Sequence, residues 1–339
     1  MTIENKTVVT LVTAILGEDR GARIAAMLAP MLPTGSKDYS SVTRAQMAAA
    51  MNMLLFAGLL DRVPSAASYA ADAIASGRRL CFDHGAIRTV ALINGNCGAL
   101  PRGELAFRRI LEPLGYEDAA TYPLPALRMT GRAYCHRDFP ETIPQFFVSE
   151  LHVGQFDPAF GSVADRVFGN SQDPLDDQSE AALDQLATGQ SIPFDVARMT
   201  LPTLVAAFGR HHALCTVADY EALRSASAEA AWIATEGNAF NHATDRVPDV
   251  VALAEELKAS GHPMKDKVEL SRNGRVRQTA FRADMVKREF VTETGGTCLM
   301  MVPGSFYEFI SRDVDPATGK LDLSFDSGNA TGIFHMTKQ

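Results

Sequence analysis

Cysteine is scarce and unpatterned in this 339-residue chain: Cys81, Cys97, Cys135, Cys215 and Cys298 are scattered and form no C-x-x-C pair. An odd number at long spacings argues against both a disulfide framework and a cysteine zinc site, and leaves reduced, buried thiols as the reading. No G-x-G-x-x-G follows a strand pattern, and G-x-x-x-x-G-K-[ST], G-x-S-x-G and H-E-x-x-H do not occur, which removes dinucleotide, nucleotide, serine-hydrolase and zincin readings. Basic residues are outnumbered, 32 Lys and Arg against 40 Asp and Glu for a formal net charge of -8, and they form no cluster that could follow nucleic-acid phosphates. A long apolar run is missing too. The most membrane-like stretch, AQMAAAMNMLLFAGLL at residues 45–60, contains Gln46 and Asn52 and is shorter than the roughly 20 residues a spanning helix needs, so it reads as a buried core helix. The N-terminus has no basic region ahead of its apolar run and meets Glu18 and Asp19 at once, so it reads as mature, cytoplasmic protein.

What is present is enough apolar material for a large core, 46% hydrophobic residues, and by length two or so structural units. Residues 1–78 read as a helical region: Ala- and Leu-rich blocks are separated by PTGSKD (33–38) and DRVPS, with Gly77 as a stop. Residues 79–155 follow with a strand around His84, a helix over GELAFRRILEPLG (103–115), and strands near 127–135 and at PQFFVSELHV (144–153). A mainly helical insertion occupies 156–236. The β-α-β-β-β order then returns over 237–339: AFNHATDRV, a helix at PDVVALAEELKASG, strand-like RVRQTAFRA and VKREFVTE, and CLMMVPGSFYEFISRD. The fold class predicted is α+β, a pair of βαβββ modules with an N-terminal helical region and a helical insertion.

Polar residues inside strands test this repeat, because they are the least expected there. His84 and Glu150 lie 66 residues apart in the first module, and His242 and Glu308 lie 66 apart in the second; each histidine also opens an H-x-x-x-R pattern, to Arg88 and Arg246. In CFDHGAIRTV (81–90), period-two alternation gives His84 and Arg88 one face. A strand histidine taken singly reads as a hydrogen-bonded core residue; the duplicated pattern favours ligands. Two histidines and a carboxylate on one face suit a divalent first-row metal and leave open positions, as in facial-triad non-haem iron sites. By internal symmetry Glu150 is a candidate fourth ligand, and the bland role for Arg88 is a salt bridge to it.

Five stretches in order, DHGAIRT, PQFFVSEL, FNHATDRV, RQTAFRA and FYEFISR, resemble the 2-oxoadipate dioxygenase/decarboxylase family, also called D-2-hydroxyglutarate synthase, of the vicinal oxygen chelate superfamily. The resemblance runs from about residue 50 to the C-terminus. It implies paired βαβββ modules closed around Fe(II), with His84, His242 and Glu308 as ligands and Arg88 pairing with a substrate carboxylate. The activity implied is oxidative decarboxylation of 2-oxoadipate to 2-hydroxyglutarate and CO2, with O2 consumed. Zn or Ni would stand in for iron in purified protein, by the Irving-Williams order. The partners implied are a small 2-oxo acid and O2, with no nucleic acid or membrane and with a homo-oligomer left open. This chain is shorter than the better-known family enzymes, so the tail FDSGNATGIFHMTK (325–338) stands where they draw substrate contacts from a longer C-terminal region. Two other readings belong to the same fold: a four-ligand isomerase or lyase of glyoxalase type, and a metal-free binding protein. His136 and His152 are expected near the pocket in supporting roles, His211 and His212 at a surface or core edge, and Arg246 in a structural salt bridge. RNGRVRQ reads as a hairpin turn whose Arg275 or Arg277 could face an anionic substrate.

Overall fold

The computed structural model describes residues 5–34 and 40–326. The readings of residues 1–4, of the first helix break at 35–38 and of the tail past residue 326 lie outside them.

Four helices open the described chain: α1 (Lys6–Leu16) and α2 (Glu18–Met27), then, after the short strand β1 (Ser41–Val42), α3 (Arg44–Arg62) and α4 (Pro64–Ala75). Thr43 starts α3 with a capping box, its backbone N–H donating to Gln46 Oε1 at 2.9 Å while its hydroxyl accepts from the Gln46 N–H at 3.3 Å. Pro64, at the first position of α4, suits a helix start but not a continuation, and the two axes bend by 114°. α3 is buried almost all round from Ala45 to Leu59. Its one interior amide, Asn52, donates from Nδ2 to the Ala48 carbonyl and the Tyr116 hydroxyl. Among the described residues, no single helix is long and apolar enough to cross a membrane.

The first strand set is β2 (Phe82–Ala91), helix α5 (Leu105–Leu111), β3 (Tyr116–Leu124), β4 (Met129–His136) and β5 (Gln145–His152). Helices α6 (Pro158–Phe168), α7 (Asp177–Ala187), α8 (Phe194–Ala206), α9 (Val217–Ala226) and α10 (Ala228–Glu236) come next, with β6 (Ile192–Pro193) pairing back to β1. The second set is β7 (His242–Arg246), α11 (Val250–Ala259), β8 (Glu269–Leu270), β9 (Val276–Ala280), β10 (Met285–Val291), β11 (Thr297–Pro303) and β12 (Phe306–Arg312). One curled eight-stranded sheet, ordered β3-β4-β5-β2-β7-β12-β9-β8, holds both sets. Each half repeats the same pairing: β2 parallel to β5 and β5 antiparallel to β4, then β7 parallel to β12 and β12 antiparallel to β9. The halves meet at the antiparallel β2–β7 pair, giving the paired βαβββ architecture.

β2 and β12 are buried on both faces, which explains their near-continuous apolar runs. On the helix-covered face, Phe82 packs on Phe56 of α3, and Tyr307 and Phe309 pack on Tyr69 of α4. Gly85 is required there: a Cβ at this position would stand 2.4 Å from the Phe240 ring. The opposite face of the same strands carries the polar side chains taken up below.

Two elements depart from the sequence reading. β3 was not singled out as a strand, because its largely exposed pattern and Pro123 suit an edge, where a missing N–H costs no ladder bond. VKREFVTE and the first part of CLMMVPGSFYEFISRD do form strands, β10 and β11, but these pair as a separate hairpin and do not join the eight-stranded sheet. Their period-two pattern is genuine, yet Leu299 and Met301 point to solvent rather than to a sheet core.

Two histidines are held neutral by this packing. Burial pushes His212, whose Nε2–H donates to the Ala234 carbonyl at 3.0 Å, down to about 4. Burial likewise lowers His136, edge-on to Tyr116 and tilted against Phe139, to about 4. The folded values lie below the unfolded value of about 6.5, so their contribution is fully present above that pH and is lost as pH falls through 4. The urea midpoint should therefore drop between about pH 6.5 and 4, and His136→Phe, which keeps an aromatic ring there but takes no proton, should flatten part of that drop. A midpoint independent of pH across this window would contradict the assignment.

Candidate metal centre

On the face away from the helices, His84, His242 and Glu308 come together, with one donor atom from each all lying within 4.8 Å of one another and all three side chains buried. The register explains the convergence. β2 runs antiparallel to β7 with His84 opposite Thr244 and Ala86 opposite His242, and β12 runs parallel to β7 with Glu308 opposite Thr244. Both imidazole Nε2 atoms face one carboxylate oxygen: Glu308 Oε2 is 3.3 Å from His84 and 3.4 Å from His242. The Thr244 hydroxyl donates to that oxygen at 2.8 Å and lies 3.1 Å from His84 Nε2. Glu308 Oε1 is buried with no hydrogen-bond partner among the described residues.

Second contacts fix the rings. A β-bulge between Phe82 and His84 breaks strict alternation, and it sets Asp83 beside its neighbour, so that His84 Nδ1–H donates to Asp83 Oδ1 at 2.8 Å. Asp83 is gripped in turn by Arg312, whose Nε and Nη2 lie 2.9–3.1 Å from its oxygens. On the other side His242 Nδ1 faces Asn241 Oδ1 at 3.2 Å. Both Nδ1 atoms thus have acceptors, which leaves Nε2 of each ring turned toward Glu308 as a metal-ligating tautomer requires. A buried His/His/carboxylate set with one unpartnered carboxylate oxygen fits a borderline divalent cation.

Charge in the site is unevenly held. Burial alone would raise Glu308, but His242, His84 and Thr244 outweigh it and hold the carboxyl below its ordinary range. Burial presses His242 down to about 3, whereas for His84 the hydrogen bonds to Asp83 and Glu308 overcome burial and raise it. Asp83 is held far below the usual carboxylate range by Arg312 and His84 despite its burial.

Arg88 lines the same pocket, with Ala86, Phe147, Ser149, Gln278 and Phe325. It is fully buried, its guanidinium carbon 5.0 Å above the Trp232 ring of α10. Burial lowers it to about 10, opposed by Glu229. Phe325 stands edge-on to His84 at 4.9 Å, and the space left in the pocket is about 30 Å³, roughly one water molecule.

Glu150 is not part of this group. β5 pairs with β2 so that Gln145 faces His84 and Ser149 faces Arg88, and Gln145, Phe147 and Ser149 alternate onto the site face. Glu150 falls on the other face, accepting from the Glu104 N–H at 3.0 Å and from Arg102 at 3.1 Å. A Cβ on Gly103 would collide with its Oε2. The salt bridge between Arg88 and Glu150 considered from sequence is absent for the same reason. The equal 66-residue spacing misleads because Phe306 faces His242 while Gln145 faces His84, which makes Phe147, not Glu150, the counterpart of Glu308. His152 belongs with Glu150, 3.5 Å from it.

The remaining sequence candidates lie elsewhere. Arg246 contacts Asp83 at 3.7 Å and donates to the Glu141 carbonyl, a structural role. Arg275 and Arg277 pair with Asp322 and Asp313 around the β8–β9 hairpin and do not line the pocket. His211 donates to the Ala206 carbonyl. Missed from sequence were Asp83, Asn241, Thr244, Gln278 and Arg312. Asp83, Asn241 and Thr244 adjoin or follow the two histidines closely, and that adjacency was the one available signal.

The sheet topology and this site define an α+β protein of the vicinal oxygen chelate type. A protein assigned to the glyoxalase superfamily from Ralstonia eutropha JMP134 shares 50% identity over 95% of this chain and 99% of that one, with a TM-score of 0.90. Hydroxyglutarate synthase from Oryza sativa, solved with 2-oxoadipate, shares 18% identity over 91% and 98% of the two chains at a TM-score of 0.66. The Pseudomonas putida hydroxyglutarate synthase shares 19% over 88% and 75% at 0.57. At the last two identities the likeness is one of fold. No curated protein matches the chain. The 2-oxoadipate dioxygenase/decarboxylase family profile matches residues 44–320, and the chain belongs to that family.

Two substitutions separate the faces of the sheet. Asp83→Asn should weaken divalent-metal affinity about 10–100-fold in a chelator competition, as loss of a ligand-orienting carboxylate does. Glu150→Gln should leave metal affinity unchanged while lowering stability by about 1–3 kcal/mol, because charged hydrogen bonds to a buried carboxylate are lost. Metal loss in the second variant would restore Glu150 as a ligand.

Proposed function

We propose that this protein is a non-haem Fe(II) dioxygenase that decarboxylates a 2-oxo acid of the 2-oxoadipate kind, giving the 2-hydroxy acid one carbon shorter and CO2. His84, His242 and Glu308 would hold the metal, and Arg88 would take a substrate carboxylate. One observation carries this reading in a chain of this family: three donors converge where the symmetric fourth position holds Phe147, an apolar side chain that cannot ligate. Iron bound there would supply open coordination positions and the electrons for O2 activation.

The stoichiometry balances without another reductant. The substrate's 1-carboxylate leaves as CO2, one oxygen atom of O2 enters the new carboxylate, and the other becomes the hydroxyl. The protein's own groups divide the remaining tasks. Asp83 and Asn241 keep both Nε2 lone pairs directed at the metal position. Arg88, four residues from His84 along β2, lies about 13 Å away at Cα by strand rise, and its long side chain can reach the far end of a small diacid. Its guanidinium forms paired, charge-assisted bonds with a carboxylate. Phe147, Ala86 and Phe325 form an apolar wall that keeps water from the reacting carbon.

The test is anaerobic loading with Fe(II), addition of 2-oxoadipate, then O2, with gas uptake and CO2 release recorded. One-to-one uptake and release is expected; isomerisation without O2 would replace the reading with a glyoxalase-type one. Protein purified without iron is expected to carry Zn or Ni, which bind such a donor set more tightly. Single alanine replacements of His84, His242 and Glu308 should each deplete metal. Arg88→Ala should keep it and lose about 10–100-fold in kcat/KM, from one charged hydrogen-bonding partner at roughly 1.5–3 kcal/mol.

A further inference from the structure

Behind the pocket, α10 packs against β2 and carries two buried residues one helical turn apart, Glu229 and Trp232. Trp232 is the chain's single tryptophan, and its ring carries the Arg88 guanidinium at 5.0 Å. Its own N–H is anchored on the Gly304 carbonyl at 3.0 Å, so the platform is fixed at both ends. Glu229 is 3% exposed; Oε2 accepts from the Ser227 hydroxyl at 3.0 Å, and Oε1 is buried with no hydrogen-bond partner among the described residues. A half-satisfied carboxylate at this depth is costly unless a cation compensates it. Glu229 acts electrostatically on Arg88.

We propose that Glu229 is the resident counter-ion of Arg88 and sets how tightly that guanidinium holds a substrate or product carboxylate. This rests on the reading of Arg88 as the carboxylate partner. An anion arriving at Arg88 gains attraction to the guanidinium and meets repulsion from Glu229. The balance weakens binding of both the oxo acid and the hydroxy acid, and so favours release. Neutralising Glu229 removes that repulsion and leaves more of the Arg88 charge for an arriving anion to compensate. Glu229 is a positioning residue in this scheme: it acts through Arg88 and touches no reacting atom.

Trp232 reports on the arrangement without turnover. Emission of the full-length, Zn-loaded protein is titrated with 2-oxoadipate, and calorimetric titration runs in parallel for wild type, R88A, E229D and E229Q. The expected order is a wild-type response lost in R88A, binding about two- to threefold tighter in E229D, whose shorter side chain draws the charge back, and about tenfold tighter in E229Q. E229Q should also melt lower when empty and gain more from ligand than wild type, and in Fe(II) enzyme its KM and kcat should fall together. If E229Q does not fold, E229D alone decides by the direction of its shift. A residue that merely stabilises α10 would lower the melting temperature without tightening binding, and that result overturns the proposal alone. No binding by wild type, or equal binding by R88A, overturns the reading of Arg88 and the proposal with it.

Discussion

Antiparallel pairing of β2 with β7 sets His84 against Thr244 and His242 against Ala86, so two histidines from distant segments end diagonal to each other on one face. Glu308 joins them because β12 adds to β7 in parallel with the carboxylate opposite the same threonine. Every donor position therefore depends on this seam between the halves. A slip of one residue in it would turn a histidine to the helix-covered face, since side chains alternate with period two. The helix side resists such a slip: Asp245, the residue after Thr244, accepts from Tyr69 and Arg78 and from the Cys81 N–H. The same five-residue strand is thus pinned by polar contacts on both faces.

The bulge at Phe82–His84 is the other constraint of this kind. In a regular strand, adjacent residues point to opposite faces, and Asp83 could not orient the ring of His84. The extra residue brings them together and also lets Arg312, from the end of β12, close on Asp83. Arg312 spends its remaining donor on the carbonyls of Asp322 and Ser324, which carries the chain back across the pocket and lays Phe325 against His84 and Phe147. Ligand orientation and the covering of the site are linked through one guanidinium.

How much of this was legible in the sequence follows from what strands and loops record. Polar residues in otherwise apolar strands stood out, and they included His84, His242, Glu308 and Arg88, because burying such groups without purpose is unfavourable. The repeat was legible too, as order of elements. Register was not. Counting 66 residues from each histidine equated Glu150 with Glu308, but loops absorb a three-residue difference between the halves, and an odd offset reverses the face of a strand. Asp83 was hidden by the same regularity, since strict alternation assigns it to the wrong side. Arg312, Gln278, Glu229 and Trp232 come from segments whose local pattern says nothing about β2; only the tertiary fold brings them there.

The number of buried charges around this pocket sets a final physical question. Asp83, Arg312, Arg88, Glu229 and Glu308 are all nearly inaccessible, and apolar residues of similar volume would often give an equally or more stable core. Asp83 and Arg312 compensate each other at hydrogen-bond distance, which accounts for their retention as structure. Glu308 and Arg88 do not form such a pair. Glu308 keeps a buried oxygen with no hydrogen-bond partner among the described residues, and Arg88 lies over the face of Trp232. The Glu308 carboxylate that carries the unpartnered oxygen sits beside two imidazoles, an arrangement that a divalent cation would complete. The β2–β7 seam and the large aromatic core behind it hold these buried charges in place, so the cost of burying them is met by packing elsewhere in the fold.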